Sequence, residues 1–188
     1  LPISKDFINE GAEIPLDSLM RRIKELPQYV AADEPIIMSE ARLAVYTEPP
    51  ANELRKRFIK PEDAQRNNIL WDESNSAWIL PIRDPNDYTL WGWQEKGARG
   101  RFFRNQPQGV KKSKTVFGVE VMSTETLIVV ESPLDVARLA SAGYPGAIST
   151  FGAIPSEEQA KIMRRATHVI DRKNTRLNSS HRCISYAV

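Results

Sequence analysis

The spacing of apolar residues takes three successive characters along the chain. In residues 15–26, Leu16, Leu19, Met20, Ile23 and Leu26 recur every three or four positions, which predicts an amphipathic helix with one apolar stripe. Asp17 or Ser18 can cap its start, and Pro27 stops it. The link Thr47-Glu48-Pro49-Pro50 leads to a second predicted helix over residues 52–57. Lys60-Pro61-Glu62-Asp63-Ala64 predicts a third start, with proline at the first helical position and acids in the first turn.

The texture then turns to strands. Ala77-Trp78-Ile79-Leu80-Pro81-Ile82 and Tyr88-Thr89-Leu90-Trp91-Gly92-Trp93 flank Asp84-Pro85-Asn86-Asp87, a run of turn-forming residues. Val116-Phe117-Gly118-Val119-Glu120-Val121 predicts a further strand. From Thr126 the order becomes β-α-β-α-β. Residues 127–130 are continuously apolar, as in a strand buried on both faces of a parallel sheet. Residues 133–142 predict a helix, with Gly143 just past its end. Residues 147–150 predict a second strand. Ser156 caps the next helix, with Glu157 and Glu158 at its positive end and Arg164 and Arg165 at its negative end. Residues 167–170 begin a third strand. The expected fold class is α/β: a mixed α+β N-terminal subdomain over residues 51–125, then a truncated, Rossmann-like parallel β/α subdomain over residues 126–170. Residues 1–50 read as helical and unassigned.

Composition narrows the class. The chain has 188 residues, of which 41% are hydrophobic and 27% charged, an ordinary globular balance. Apolar runs are only a few residues long, which excludes a hydrophobic membrane-spanning helix. The start carries no basic region followed by an apolar core, so no secretory signal is expected there, and it lacks Met, so it is expected to lie inside a longer protein. Cys183 stands alone, which excludes an internal disulfide framework and a cysteine zinc site. A reducing, cytoplasmic setting fits.

The net charge of +2 comes from the end of the chain, where Asp171 is followed by Arg172, Lys173, Arg176 and Arg182. The string Asp171-Arg172-Lys173-Asn174-Thr175-Arg176-Leu177-Asn178-Ser179-Ser180-His181 is similar to the translation of a common sequencing-library adapter, departing only at Asn174. Residues 171–188 are therefore expected to be a non-native, disordered tail, with the natural reading ending at Ile170.

Two segments carry chemistry. Glu131 directly follows a buried strand, which places it at the carboxyl edge of a parallel sheet, where open α/β folds bind ligands. There it can hold a divalent metal, take a proton, or simply be a solvated acid. Asp135 falls at the third position of the following helix, with Ser132 able to cap and Pro133 first. An acid at that position stabilises the helix start on its own, and it can also support a metal. The second segment runs from Lys96 to Lys114 and holds seven basic residues and no acid. Such clustering suits phosphate binding. The interleaved Phe102 and Phe103 could stack on bases, while Trp91 and Trp93 alternate as core residues do.

The run from Leu127 to Asp135, continued by Ala142-Gly143-Tyr144-Pro145-Gly146-Ala147-Ile148-Ser149-Thr150-Phe151-Gly152, resembles the first half of a Toprim domain. That family's pattern is a strand ending in Glu-Gly-x-x-Asp, then a small-residue strand ending in Gly. Ser132 stands where the family has Gly, and the family's later Asp-x-Asp falls where the adapter-like tail begins. Upstream, Pro81-Ile82-Arg83-Asp84, Trp91-Gly92-Trp93, Asn105-Gln106-Pro107 and Lys112-Ser113-Lys114-Thr115-Val116-Phe117-Gly118 follow the order seen in bacterial and phage primases just before Toprim. Arg57-Phe58-Ile59 is similar to a family Arg-Gly-Ile element, with Phe58 departing from Gly.

The resemblance, over about residues 51–170, implies a DNA primase fragment that makes short RNA primers on single-stranded DNA in the cytoplasm of a bacterial or phage-infected cell. It implies magnesium, or manganese, at Glu131 and Asp135, with Glu131 catalytic. It implies template and nucleoside triphosphates held by Arg83, Lys96 and Lys112, with Arg101, Arg104, Lys111 and Lys114 assigned beside them. A replicative helicase is an implied partner, any zinc lies in a module outside this chain, and no membrane is involved. The alternatives are a non-catalytic single-stranded-DNA-binding Toprim module, or a Toprim nuclease or topoisomerase relative. Without the second acidic motif, this chain is expected to be inactive.

Overall fold

A computed structural model describes residues 34–99, 102–171 and 185–187. The chain divides into two compact units, Leu1–Glu34 and Pro35–Val188, and every element with a described backbone belongs to the second. The predicted helix over residues 15–26 and Arg101 lie outside the described residues.

The first half of the second unit is a helix pair leading into an antiparallel meander. The helices are α1 (Ala51–Lys56) and α2 (Pro61–Arg66). The sheet runs in the order β1 (Leu70–Asp72), β2 (Ala77–Arg83), β3 (Leu90–Gly97) and β4 (Phe103–Gln106). Ala77 to Ile82 are all buried, so β2 is covered on both faces. The Asp84 carboxylate accepts from the amides of Asn86 at 2.7 Å and Asp87 at 3.3 Å, closing the predicted turn. Tyr88 takes a left-handed φ of 64°, so β3 starts at Leu90, later than predicted, and runs on to Gly97. Among the described residues of the basic segment beyond β3, only Phe103–Gln106 forms a strand, while Lys112–Lys114 coil into a 3-10 turn. β4 pairs with β3 in a register that sets Glu95 opposite Arg104. Gly92 permits this, since a Cβ there would stand 2.1 Å from the Gln106 carbonyl oxygen.

The second half is parallel. Its sheet runs in the order β6 (Ile148–Ser149), β5 (Thr126–Val130), β7 (His168–Asp171) and β8 (Ser185–Ala187). Helices α3 (Pro133–Ser141) and α4 (Glu157–Met163) join its parallel strands. β8 pairs antiparallel to β7, a backbone pairing within the stretch expected to lack regular structure. Ser156 and Gln159 form a reciprocal capping box on α4. The strand predicted over residues 116–121 does not form. Phe117 makes a lone antiparallel bridge to Ser149, Gly118 turns left-handed at φ 83°, and Val119–Val121 coil into a 3-10 turn. Gly118 leaves no room for a side chain, because a Cβ would meet the Ala147 carbonyl at 3.0 Å.

One apolar cluster crosses the expected boundary at residue 125. Leu54, Ile59, Trp71, Trp78 and Leu80 pack in it with Phe117, Leu134, Val136 and Ala147. The two halves therefore share a core, which holds their facing edges in fixed register. Among the described residues, no helix is long and apolar enough to cross a membrane.

Three helices close in the same way. In α1, Phe58 N–H donates to Arg55 O at 3.1 Å and Ile59 N–H to Leu54 O at 3.0 Å. In α2, Asn68 and Ile69 repeat the pair, and in α3 Gly143 and Tyr144 do. This is the Schellman closure, whose C′ residue is left-handed. The three C′ residues are Phe58, Asn68 and Gly143, at φ 57°, 53° and 93°. Left-handed backbone costs a residue with a Cβ about 1–2 kcal/mol.

Candidate functional site

Glu131 leaves the carboxyl end of β5 exposed to solvent. Its backbone is held from β6: Ser149 Oγ donates to the Glu131 carbonyl at 2.7 Å, and Thr150 N–H donates to Val130 O at 3.3 Å. Ser149 is fully buried, so this anchor is shielded from water. The Glu131 side chain lines a cavity of about 370 Å³ whose other walls include Gln94 and Lys96 of β3, Phe102, Phe103 and Phe151.

Lys96 stands at the centre. Its Nζ lies 3.2 Å from Ser132 Oγ, so the serine that begins α3 contacts the lysine and makes no side-chain cap. Burial pushes the Lys96 pKa down, the nearby Arg57 pushes it further, and Asp135 and Glu131 pull it back up. Two acids and a second cation thus act on one ammonium group. Lys96 and Ser132 also line a second cavity of about 360 Å³, walled by Lys56, Arg57, Phe58, Asp135 and Arg138.

Lys112 lines neither cavity but stands against two rings of the first one's wall. Its ammonium sits 5.5 Å from the Phe103 ring centre and 5.9 Å from that of Phe151, within cation–π range. Burial lowers its pKa. Its backbone is held by Gln159 of α4, which is 2% exposed. The Gln159 amide donates to the carbonyls of Lys112 at 2.9 Å, Thr115 at 2.8 Å and Thr150 at 3.1 Å. Lys111 and Lys114 flank Lys112 and are half-buried, and neither lines the two cavities. Arg104 pairs with the buried Glu95 and lies 5.4 Å from the Phe102 ring centre. Half-exposed, it stiffens the aromatic wall and keeps part of its surface for solvent.

Arg83 is placed elsewhere. Its guanidinium pairs with Glu40, stands 3.0 Å from Glu120 and donates to Tyr88 O at 3.1 Å. It lines neither cavity. Two carboxylates distant in sequence thus fold back onto its guanidinium.

Among the described residues, no three acidic, histidine or cysteine side chains gather as a ready metal cage. Glu131 and Asp135 do act on the same ammonium. Magnesium commonly takes one or two carboxylates and completes its shell with water and substrate phosphate. The two acids line different cavities, Glu131 the first and Asp135 the second.

Sequence reading missed Lys56, Arg138 and Phe151 as site residues and Ser149 and Gln159 as their supports. The glutamine had one legible signal, its place three residues after the Ser156 cap. Phe58 was legible as a departure from Gly.

No protein-family model matches the chain, and comparison with curated proteins returns no match. Solved structures do. The DnaG primase catalytic domain bound to single-stranded DNA aligns at a TM-score of 0.56 and 16% identity, over 70% of this chain and 58% of that one. The Aquifex aeolicus primase, with zinc-binding and RNA polymerase domains, aligns at 0.54 and 17%, over 64% and 41%. The primase fragment of the bacteriophage T7 primase-helicase protein aligns at 0.54 and 16%, over 76% and 64%. The chain thus spans about half the length of the first two structures. Its antiparallel and parallel sheets, joined through one core, are therefore the fold shared by primase catalytic cores of the DnaG and T7 kinds.

Proposed function

We propose that this chain is the catalytic-core portion of a primase-type nucleotidyltransferase, with a Toprim-like second half, which builds short RNA primers on single-stranded DNA. One observation carries the reading. Glu131, at the carboxyl end of a parallel strand, shares a cavity with Lys96 and the phenylalanine wall of the antiparallel half. An acid able to hold a divalent cation thus meets a cation suited to phosphate and rings suited to bases.

In this reading the template passes along Phe102, Phe103 and Phe151 beside Lys112. Lys96, common to both cavities, holds phosphate between them. Its partial burial strengthens that contact, because a charge acts further in a drier setting. Glu131 and Asp135 would hold magnesium or manganese, which when bound neutralises phosphate charge and acidifies the attacking hydroxyl. A replicative helicase as partner belongs to the same proposal.

The test is ribonucleotide incorporation on single-stranded DNA by a version of the chain in which the adapter-like residues are replaced by the Asp-x-Asp end that the Toprim resemblance implies. Glu131→Ala is expected to lower it by on the order of 10²–10³. Incorporation indifferent to that substitution would sink the assignment. The 188-residue chain itself is expected to stay at the background of the variant. A second reading, a non-catalytic single-strand-binding module, draws on the absence of a three-residue metal cluster among the described residues. DNA binding without any magnesium effect in that version would favour it.

A further inference from the structure

Three helix ends in this molecule are built alike and differ at one residue. Asn68 and Gly143 occupy the left-handed position of α2 and α3, and both residue types tolerate it. Phe58 occupies it in α1, at φ 57°. A bulky side chain in that conformation is an outlier that calls for a reason. Packing does not supply one, because Phe58 is 73% exposed. Its ring lies 5.4 Å from the Arg138 guanidinium and forms part of the wall of the smaller cavity.

Four of the other lining residues are cationic, Lys56, Arg57, Lys96 and Arg138, beside Ser132, Leu134 and Asp135. Lys56 is paired with Glu53 at 2.7 Å. Arg57 and Lys96 stand close enough to repel, and Asp135 is the acid among the lining residues. The fold therefore holds like charges together beside a largely exposed ring that the Arg138 guanidinium approaches. A ligand that is polyanionic at one end and aromatic at the other relieves both features at once. The volume of about 360 Å³ suits a small molecule.

We propose that Phe58 is a base-stacking, positioning residue for a nucleoside triphosphate whose phosphates lie against Arg57, Lys96 and Arg138. This rests on the nucleotidyltransferase reading and adds a preference to it. Purines bind more tightly than pyrimidines, because the larger ring system covers more of the phenyl face. The strained backbone persists because the ring is used.

The experiment is calorimetric titration of the full chain with ATP and with CTP, alongside thermal unfolding. In Phe58→Gly and Phe58→Asn, ATP affinity is expected to fall about tenfold, and the ATP-to-CTP ratio to approach one. The melting temperature should hold or rise, since both residues suit the left-handed turn. Phe58→Trp should restore the purine preference. A purely structural role would lower the melting temperature and leave the ratio alone. Equal ATP affinity in the wild type and Phe58→Gly overturns the proposal while leaving the nucleotidyltransferase reading intact. If the wild type binds neither nucleotide, this proposal falls, while the nucleotidyltransferase reading is decided by the Glu131→Ala comparison.

Discussion

The two cavities that meet at Lys96 and Ser132 are nearly equal in volume and opposite in character. The larger is lined by three phenylalanines and Glu131, the smaller by Lys56, Arg57, Arg138 and Asp135 around a single ring. The difference follows from which element supplies each wall. The β3–β4 edge and the turn after β6 bring rings. The end of α1 and the exposed side of α3 bring charge. A single lysine is shared, so any ligand that spans both cavities must pass its ammonium group.

That contrast can be broken most directly at the shared residue. Lys96→Met is expected to weaken both ATP and oligo-dT binding by about 10–100-fold, the worth of a lost charged hydrogen bond. Folding stability at neutral pH should not fall with it. Burial depresses the Lys96 pKa, so the unfolded chain binds the proton more tightly. Below its folded-state pKa the buried charge therefore weighs against the fold, and this penalty fades as pH rises toward the ordinary lysine value of 10.5. Titrations and thermal melts from pH 7 to 10 check both parts, and a large drop in melting temperature at pH 7 would contradict the second.

Gln159→Leu sharpens the comparison by acting on one side only. It strands the buried carbonyls of Thr115 and Thr150 and releases the Lys112 turn. We expect a loss of about 2–3 kcal/mol in urea unfolding, with oligo-dT affinity falling and ATP affinity unchanged in the folded fraction. Phe103→Ala should separate the cavities more gently. Oligo-dT binding should weaken by about 1–2 kcal/mol, as for one lost stacked base, and ATP binding should stay the same. The smallest effect belongs to Lys112→Ala, which should flatten the slope of log affinity for oligo-dT against log salt by about 0.7. An unchanged slope would place Lys112 off the phosphate path.

Local rules made much of the parallel half legible. A continuous apolar strand, proline at a helix start, glycine past a helix end and serine with glutamine three residues on each act through neighbours in the chain. They place β5, α3 and α4, and they put Glu131 at a sheet edge. The antiparallel half was less readable at its margins. β4 has no apolar alternation and exists because Gly92 admits the Gln106 backbone against β3. The strand predicted over residues 116–121 failed at Gly118, where a left-handed turn under the Ala147 carbonyl outweighed strand propensity.

What the sequence by itself determined is where chain direction changes and which residue types stand at those points: an acid after β5, a phenylalanine where the resembling family has glycine, and a cluster of cations before the parallel half. Only the tertiary structure decided which charges face one another. Arg83 and Lys96 look alike along the chain, yet the first is held by Glu40 and Glu120 while the second opens between Glu131, Asp135 and Arg57. Electrostatic interaction depends on distance through space and on exclusion of water, and both are set by the core that joins the two sheets.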